Sequence, residues 1–257
     1  MYRFTFQHPT TVVIAGPTQC GKTHFLAQCL REQRLEPWPE RIVWVYGEWQ
    51  KAYDELRNSV VPSISFVHNF NNQLYDTFNA NTRNMLILDD QMENNVATAR
   101  RGQGVVKFFT QGSHHRNLTV VYMVQNLFNQ DPAMRTVSLN AHYMVLFMNP
   151  CDATQIRTLS IQMYPKCKNF LLDAMADATH NVPYGYLLLN LRPDGCDALR
   201  VVSNVLAAHP TVYIPTCFLE KVKPIKTEII NCDEDEDDDD DEPQNKRAKK
   251  TPVNNLC

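Results

Sequence analysis

The sequence predicts an α/β fold in which a mostly parallel central sheet is flanked by helices on both faces. Short, continuous apolar runs recur along the chain, and stretches with helical periodicity lie between them. A strand that is apolar at every position is buried on both faces, which is typical of parallel sheets covered by helices. Near residue 231 the composition changes abruptly to acidic, basic, proline and asparagine residues, which cannot form a core. We therefore expect one domain over residues 1–231 and a disordered tail over 232–257.

The elements follow in chain order from these runs. The first predicted strand is TVVIA, residues 11–15, because this β-rich run is stopped by Gly16 and Pro17. A helix is predicted over residues 23–34, where apolar side chains recur on one face. Each later strand is a short apolar run followed by polar or helical sequence. These further strands are predicted at residues 42–46, 64–67, 85–88, 119–124, 143–148 and 184–191.

The charge of the chain is divided unevenly between the predicted domain and the tail. The formal net charge of the 257 residues is −3. However, ten of the 28 acidic groups lie in residues 233–242, and four of the 25 basic groups lie in residues 246–250. The rest of the chain therefore has 21 basic and 18 acidic groups. A mildly basic body of this kind permits nucleic-acid binding without arguing for it.

Several classes of protein are excluded by the sequence. The apolar runs, such as residues 143–148, span about six residues, whereas a membrane helix needs about 20. The N-terminal segment has no basic region followed by an apolar core, so we expect no secretory signal. The eight cysteines include no CxxC pair, so neither a zinc site nor a redox motif is indicated. We expect a soluble intracellular protein that is not secreted and has no membrane partner.

A phosphate-binding motif lies between the first strand and the first helix. Residues 16–23 read GPTQCGKT and fit the pattern GxxxxGK[ST]. In such a loop, backbone N–H groups point at an anion, and the following helix adds its positive end. Lys22 is predicted to reach the outer phosphates, and the Thr23 hydroxyl to ligate Mg²⁺. The predicted nucleotide-binding residues are Gly16, Pro17, Thr18, Gln19, Cys20, Gly21, Lys22 and Thr23.

Polar side chains at the ends of two later strands complete the predicted site. The run MLIL ends in Asp89 and Asp90, at the carboxyl edge where ligands bind in open α/β sheets. Asp89 is suited to hold Mg²⁺. Asp90 would point differently and is predicted to orient or deprotonate the attacking water. Gln125 ends the run VVYMV and is predicted to hydrogen-bond a γ-phosphate or its water.

Three phrases carry a resemblance to a known family. GPTQCGKT, LILDDQ and SHHRNLTVVYMVQNLF, in that order, resemble the FtsK–HerA superfamily of DNA-pumping ATPases. Within that superfamily they resemble the poxvirus A32-like genome-packaging ATPases of large DNA viruses, adintoviruses and Maverick/Polinton elements. The likeness extends from about Phe4 to about Leu191. It is most specific in the phrase that ends at Gln125-Asn126 and at residues 138–141, Asn149-Pro150 and Asp152.

The resemblance implies a RecA-like P-loop NTPase fold in which the glutamine strand lies between the two Walker strands. It implies Mg²⁺ and ATP as cofactors, a ring of identical subunits that is usually hexameric, and double-stranded DNA bound through its backbone. ATP hydrolysis would drive that DNA into a capsid. Such rings complete each site with an arginine from the neighbouring subunit. Because Cys151 stands where many viral members have this arginine, Arg135 and Arg157 are the remaining candidates.

The tail indicates where the protein works and what else it binds. The acidic block at residues 233–242 would bind a basic partner, such as a capsid or core protein, or compete with DNA for the basic body. The segment KRAKK at residues 246–250 has the size of a nuclear import signal. We therefore expect the protein in the host nucleus or at the site of virus assembly.

The residues leave two alternatives open. A small-molecule P-loop kinase would use the same phosphate loop, but it would need an arginine-rich lid and would lack a catalytic acid directly after the Mg²⁺ aspartate. Asp90 therefore counts against a kinase. A nucleotide-binding scaffold without motor activity would tolerate the loss of Lys22, Thr23, Asp89 or Asp90, yet all four are present.

Overall fold

The apolar runs of the sequence form the strands of a large sheet in the computed structural model of the chain. The structure describes residues 3–89, 103–127, 132–180 and 182–219. The predicted domain boundary at residue 231 and the tail over 232–257 lie outside the described residues. The strands are β1 (Phe6–Gln7), β2 (Thr11–Ala15), β3 (Leu35–Glu36), β4 (Arg41–Tyr46), β5 (Ile64–His68), β6 (Asn84–Asp89), β7 (Leu118–Val124), β8 (Tyr143–Phe147), β9 (Tyr186–Asn190), β10 (Val201–Ser203) and β11 (Thr211–Tyr213).

Helices connect these strands and cover the sheet. The α-helices are α1 (Lys22–Arg31), α2 (Lys51–Ser59), α3 (Gln103–Lys107), α4 (Ser113–His115), α5 (Pro132–Leu139), α6 (Ala153–Met163), α7 (Phe170–Thr179) and α8 (Thr216–Leu219). A π-helical turn at Phe108–Gly112 joins α3 to α4, and short 3₁₀ turns lie at Asn72–Thr77, Pro150–Asp152 and Asp197–Leu199. Among the described residues, none of these helices has the length and apolar character that crossing a membrane requires.

The order of the strands places β7 between β2 and β6. Within the described ranges the main sheet has nine strands in the order β11-β10-β9-β8-β2-β7-β6-β4-β5. The six strands from β8 to β5 pair in parallel. This confirms the predicted mostly parallel sheet and the insertion of the glutamine strand between the two Walker strands. The register pairs Ala15 with Val124 and Asp89 with Met123, so the ends of these strands meet at one edge.

The part of the sheet formed by β9, β10 and β11 is antiparallel, and the sequence predicted it only in part. β9 pairs antiparallel with β8, with Phe147 opposite Tyr186, and β10 and β11 continue the antiparallel arrangement. The predicted start of the strand at residue 184 is wrong. Residues 182–185 form a turn, and the strand begins only after it, at Tyr186. The runs at β10 and β11 are three residues each, too short to stand out as apolar patterns.

The first helix also ends earlier than predicted. α1 stops at Arg31 rather than Arg34, because Gln33 takes a left-handed backbone conformation with φ of 51°. The chain then enters β3, where Leu35 pairs with Phe6 of β1 in a separate two-stranded sheet. The Arg34 side chain is buried and donates a hydrogen bond to the Phe4 carbonyl oxygen at 3.2 Å. Tertiary pairing therefore outweighs the helical periodicity of residues 32–34.

The core lies on both faces of the sheet, as the uninterrupted apolar strands require. On β2, Val12 and Ile14 pack into one cluster, and Val13 and Ala15 into the other. The first cluster includes the buried side chains of α1 and α2, and the second includes those of α5, α6 and α7. Burying both faces makes the central strands rigid, and this holds the strand ends at the carboxyl edge in fixed positions.

His8 lies just before β2, near the amino ends of the parallel strands, and provides a test of how stability depends on pH. Its ring nitrogens Nδ1 and Nε2 lie 2.8 Å from Thr119 Oγ1 and 2.8 Å from Asn117 Oδ1. Burial lowers the pKa of His8 from its ordinary value of 6.5, and this effect exceeds the opposing effect of the hydrogen bond to Asn117 Oδ1. The unfolded chain therefore takes up a proton at His8 before the folded chain does.

We expect the contribution of His8 to the free energy of unfolding to be complete above pH 6.5, where the ring is neutral in the folded and the unfolded chain. This contribution should fall as the pH drops through 6.5. Urea unfolding at about pH 7.5 and about pH 5.5 measures the fall for the wild type and for His8→Gln. The decrease should be smaller in His8→Gln, because glutamine does not titrate. An equal decrease in both proteins contradicts the assignment.

Candidate functional site

The phosphate loop spans residues 16–21 between β2 and α1, at the carboxyl edge of the sheet. Gly16 is buried with φ of 157°, and a Cβ built there would lie 2.6 Å from Phe147 Cβ. Gly21 has φ of 106°, and a Cβ there would lie 3.0 Å from Tyr184 Cβ. Both positions therefore require glycine, one because of a close approach and the other because of its left-handed backbone.

Lys22 places its charge inside this loop. It is the first residue of α1, and its Nζ donates hydrogen bonds to the carbonyl oxygens of Gly16 at 2.6 Å and Pro17 at 2.9 Å. The ammonium group is therefore held above the loop, next to the positive end of the helix. Two positive sources converge on the same point, which is the electrostatic requirement for binding an anion.

Cys20 lies in the same loop but adds no negative charge. Its side chain is half-buried, and burial raises the pKa of the thiol above its ordinary value of 9.0, which outweighs the lowering by Lys22. At neutral pH the thiol is therefore protonated. The loop keeps its full positive potential toward phosphate oxygens.

Asp89 ends β6 at the same edge as the loop. Its side chain is 5% exposed, and its Oδ2 accepts a 2.5 Å hydrogen bond from the hydroxyl of Tyr53. Tyr53 lies on α2 and is completely buried, with its ring 5.1 Å from that of Trp44. This packing fixes the hydroxyl, which in turn orients the carboxylate. The predicted catalytic residue Asp90 lies outside the described residues.

One cavity of about 470 Å³ brings the predicted residues together. Its volume lies within the usual range for small-molecule sites, about 300–1,000 Å³. The cavity is lined by Thr18, Gln19, Gly21, Lys22, Thr23, His24, Gln50, Asp89, Met123, Gln125 and Tyr184. Thr23 and Asp89 contribute a hydroxyl and a carboxylate, the hard oxygen ligands that Mg²⁺ prefers. The loop, the lysine and these oxygens therefore fit a nucleoside triphosphate with its magnesium ion.

Gln125 lies where the strand order predicts. It follows β7 and is exposed, and it lines both the large cavity and a smaller one beside Gly16 and Asp152. In the smaller cavity, Asp152 Oδ2 accepts a 2.8 Å hydrogen bond from Asn149 Nδ2. The amide of Gln125 is thus placed between the phosphate loop and the turn that follows β8.

The two predicted arginines lie elsewhere on the chain. Arg135 is exposed on α5 and Arg157 is exposed on α6. Neither side chain lines the large cavity of its own chain. Their role as residues supplied to a neighbouring subunit stays a prediction.

The sequence did not predict four residues that line this cavity, His24, Gln50, Met123 and Tyr184, nor Tyr53, which contacts Asp89 without lining the cavity. Gln50 directly precedes α2, just beyond the end of β4, so its position at the carboxyl edge was available from the strand pattern. The segment VPYG over residues 182–185 has proline and glycine at the positions of a β-turn. Neither pattern by itself indicates that these side chains converge on the phosphate loop.

The phosphate loop and the strand order together define an α/β P-loop NTPase fold of the RecA-like type, with an additional strand between the two Walker strands. Solved structures similar to it include the DNA-packaging ATPase B204 of Sulfolobus turreted icosahedral virus, at 13% identity and a TM-score of 0.45, covering 80% of this chain and 97% of that one. The genome packaging NTPase B204 of Sulfolobus turreted icosahedral virus 2, in complex with AMP, has 12% identity and a TM-score of 0.43, covering 71% and 92%.

A further similar structure contains ATPases 2 and 3 of EssC from Geobacillus thermodenitrificans. It has 9% identity and a TM-score of 0.48, and the match covers 80% of this chain and 40% of that chain. No protein-family model matches the chain, and no curated protein matches it. The fold class rests on the strand order and phosphate loop of this chain itself.

The hydrogen bond between Tyr53 and Asp89 can be tested by substitution. We expect Tyr53→Phe to lower the free energy of unfolding by about 1–3 kcal/mol, because a buried carboxylate loses a hydroxyl donor. The Mg²⁺ concentration needed for nucleotide binding should rise, because the carboxylate is less well oriented. Urea unfolding and a Mg²⁺ titration in the presence of ATP measure the two effects.

Tyr46→Phe is the matched control, since the Tyr46 ring lies 6.0 Å from that of Tyr53 in the same aromatic cluster. It should leave the Mg²⁺ requirement unchanged. If both substitutions shift this requirement equally, Tyr53 does not position Asp89.

Proposed function

We propose that this chain is a Mg²⁺-dependent ATPase whose hydrolysis of ATP drives double-stranded DNA into a capsid. The observation that carries the ATPase activity is the convergence of Lys22, Thr23, Asp89 and Gln125 on one cavity. These side chains come from α1 and from the carboxyl ends of two different strands, β6 and β7. Polar residues that only end a strand have no reason to meet in one cavity with the phosphate loop, so their convergence favours a functional role.

Each side chain has a distinct proposed role. Lys22 contacts the outer phosphates, and Thr23 and Asp89 would hold Mg²⁺. When bound, Mg²⁺ neutralises charge on the β- and γ-phosphates. Gln125 orients the attacking water, as glutamine does in other phosphate-loop enzymes. Asp90 accepts a proton from that water.

The exposed arginines support the proposal of a ring. On α5, Arg135 is followed four residues later by Leu139, which is 76% exposed. On α6, Arg157 is followed four residues later by Ile161, which is 41% exposed. Residues four apart lie on one face of a helix. Each helix therefore presents an arginine beside an exposed apolar side chain, a combination suited to contact with a neighbouring subunit.

The DNA and capsid parts of the proposal rest on the sequence. The phrases LILDDQ and SHHRNLTVVYMVQNLF resemble DNA-pumping ATPases, and the chain outside the tail is mildly basic. A motor that moves DNA irrespective of its sequence contacts the phosphate backbone rather than base edges.

The decisive experiment measures ATP hydrolysis by the full chain with and without linear duplex DNA. The proposal expects hydrolysis that increases when DNA is added, together with oligomers in mass photometry when a non-hydrolysable ATP analogue and DNA are both present. Hydrolysis that is insensitive to DNA would contradict the motor. The absence of hydrolysis under both conditions would leave only a nucleotide-binding scaffold. Phosphate transfer to a small acceptor instead of water would identify the kinase alternative.

A further inference from the structure

Tyr184 is an exposed aromatic residue in the nucleotide cavity to which the proposed ATPase mechanism gives no role. Its side chain is 63% exposed, although it lines the cavity formed by Lys22, Thr23 and Asp89. Large aromatic side chains gain stability from burial, so exposure at the rim of a cavity leaves the ring available for contact with a ligand.

The backbone holds this tyrosine in an unusual conformation. Residues 182–185 form a turn in which Gly185 N donates to the Val182 carbonyl oxygen at 3.1 Å, and Tyr184 has φ of 58°. Glycine or asparagine normally occupies such a left-handed position, and a bulky residue there is an outlier. Strained conformations of this kind cluster at ligand-binding sites.

Packing on both sides fixes the position of the turn. A Cβ on Gly185 would lie 2.4 Å from the Ala178 carbonyl oxygen, so the turn is held tightly against the end of α7. Tyr184 itself contacts the phosphate loop, because a Cβ on Gly21 would lie 3.0–3.2 Å from its Cβ, Cγ and Cδ1 atoms. The ring of His24, in the first turn of α1, lies 6.5 Å from the Tyr184 ring.

The strand order indicates which part of a nucleotide meets this ring. Asp89 ends β6 and Gln125 follows β7, and both strands lie on one side of β2. Tyr184 precedes β9, on the other side of β2, and the pairing of Phe147 with Tyr186 brings it to the same edge of the sheet. A nucleotide whose phosphates lie over the loop, with magnesium at Thr23 and Asp89, brings its base to Tyr184 when the base extends away from Asp89.

We propose that Tyr184 stacks on the base of the bound nucleotide and that the turn at residues 182–185 exists to present its ring. This inference rests on the proposed ATPase function and specifies how the same site holds the nucleoside. An aromatic ring stacks on any base through its π-face. Tyr184 should therefore increase affinity for the nucleoside without affecting how the phosphates bind.

The test compares Mg²⁺-ATP with Mg²⁺-tripolyphosphate, which lacks the base, in calorimetric titrations of the full chain. Tyr184→Asn removes the ring but keeps a residue that tolerates positive φ, and Tyr184→Phe keeps the ring. We expect Tyr184→Asn to weaken ATP binding by about tenfold or more and to leave tripolyphosphate binding unchanged. Tyr184→Phe should bind both as the wild type does.

A thermal unfolding scan checks the fold, and the midpoint of Tyr184→Asn should equal or exceed that of the wild type, because the strained turn is relieved. The inference is overturned if Tyr184→Asn binds ATP like the wild type, or if its affinities for ATP and for tripolyphosphate fall by the same factor. A wild-type chain that binds neither compound would instead overturn the proposed ATPase function, and the stacking role with it.

Discussion

Replacing Lys22 by alanine is expected to weaken ATP binding by about 100-fold or more while leaving the fold intact. Its Nζ contacts the Gly16 and Pro17 carbonyl oxygens within the phosphate loop, and the side chain belongs to neither apolar cluster of the core. The substitution removes the positive charge that we assign to the phosphates, and charge-assisted contacts are the strongest polar interactions available there. The free energy of unfolding should change by less than about 1 kcal/mol.

Nucleotide titration and urea unfolding of the same preparation measure both effects. Lys51→Ala is a matched control, because Lys51 is also the first residue of its helix but is exposed and does not line the cavity. It should bind ATP like the wild type. Unchanged affinity in Lys22→Ala would mean that residues 16–23 are not the nucleotide site.

The second large effect is expected from the two adjacent aspartates. Asp90→Asn keeps the shape of the side chain and removes the carboxylate that we propose as the acceptor of a proton from water. ATP should still bind, while turnover should fall by about 100-fold or more. Asp89→Asn should instead weaken Mg²⁺-dependent binding, because it removes a charge from the oxygen pair that we assign to magnesium.

Asp89→Asn also changes a buried group that accepts a hydrogen bond from Tyr53, so its stability must be measured beside its activity. The informative comparison is ATP retained per chain against ATP hydrolysed, for both variants with duplex DNA present. Retained ATP in Asp90→Asn should also hold the proposed ring together by mass action, which mass photometry measures. Normal hydrolysis by Asp90→Asn would show that this residue is not the base. A variant that traps ATP but stays monomeric would contradict the proposed ring, whereas the proposed ATPase activity would be unaffected.

The strands of the parallel half of the sheet were predictable from local sequence. MLIL and VVYMV are apolar at every position, and TVVIA is apolar after its first residue, because each strand is covered on both faces. The positions of these strands therefore follow from hydropathy. The antiparallel half was less predictable. β10 and β11 have three residues each, and the turn before β9 contains a tyrosine where a glycine or asparagine is usual.

The phosphate loop, its lysine and threonine, and the strand-end positions of Asp89 and Gln125 were identifiable from local sequence. Their spacing is local, and the backbone of a glycine-rich loop before a helix has few other uses. The contact of Tyr53 with Asp89 and the place of Tyr184 in the cavity became visible only in the folded chain. These contacts join residues 36 positions apart in one case and more than 160 in the other. Such contacts depend on which strands become neighbours in the sheet, and this is set by long-range packing rather than by local pattern.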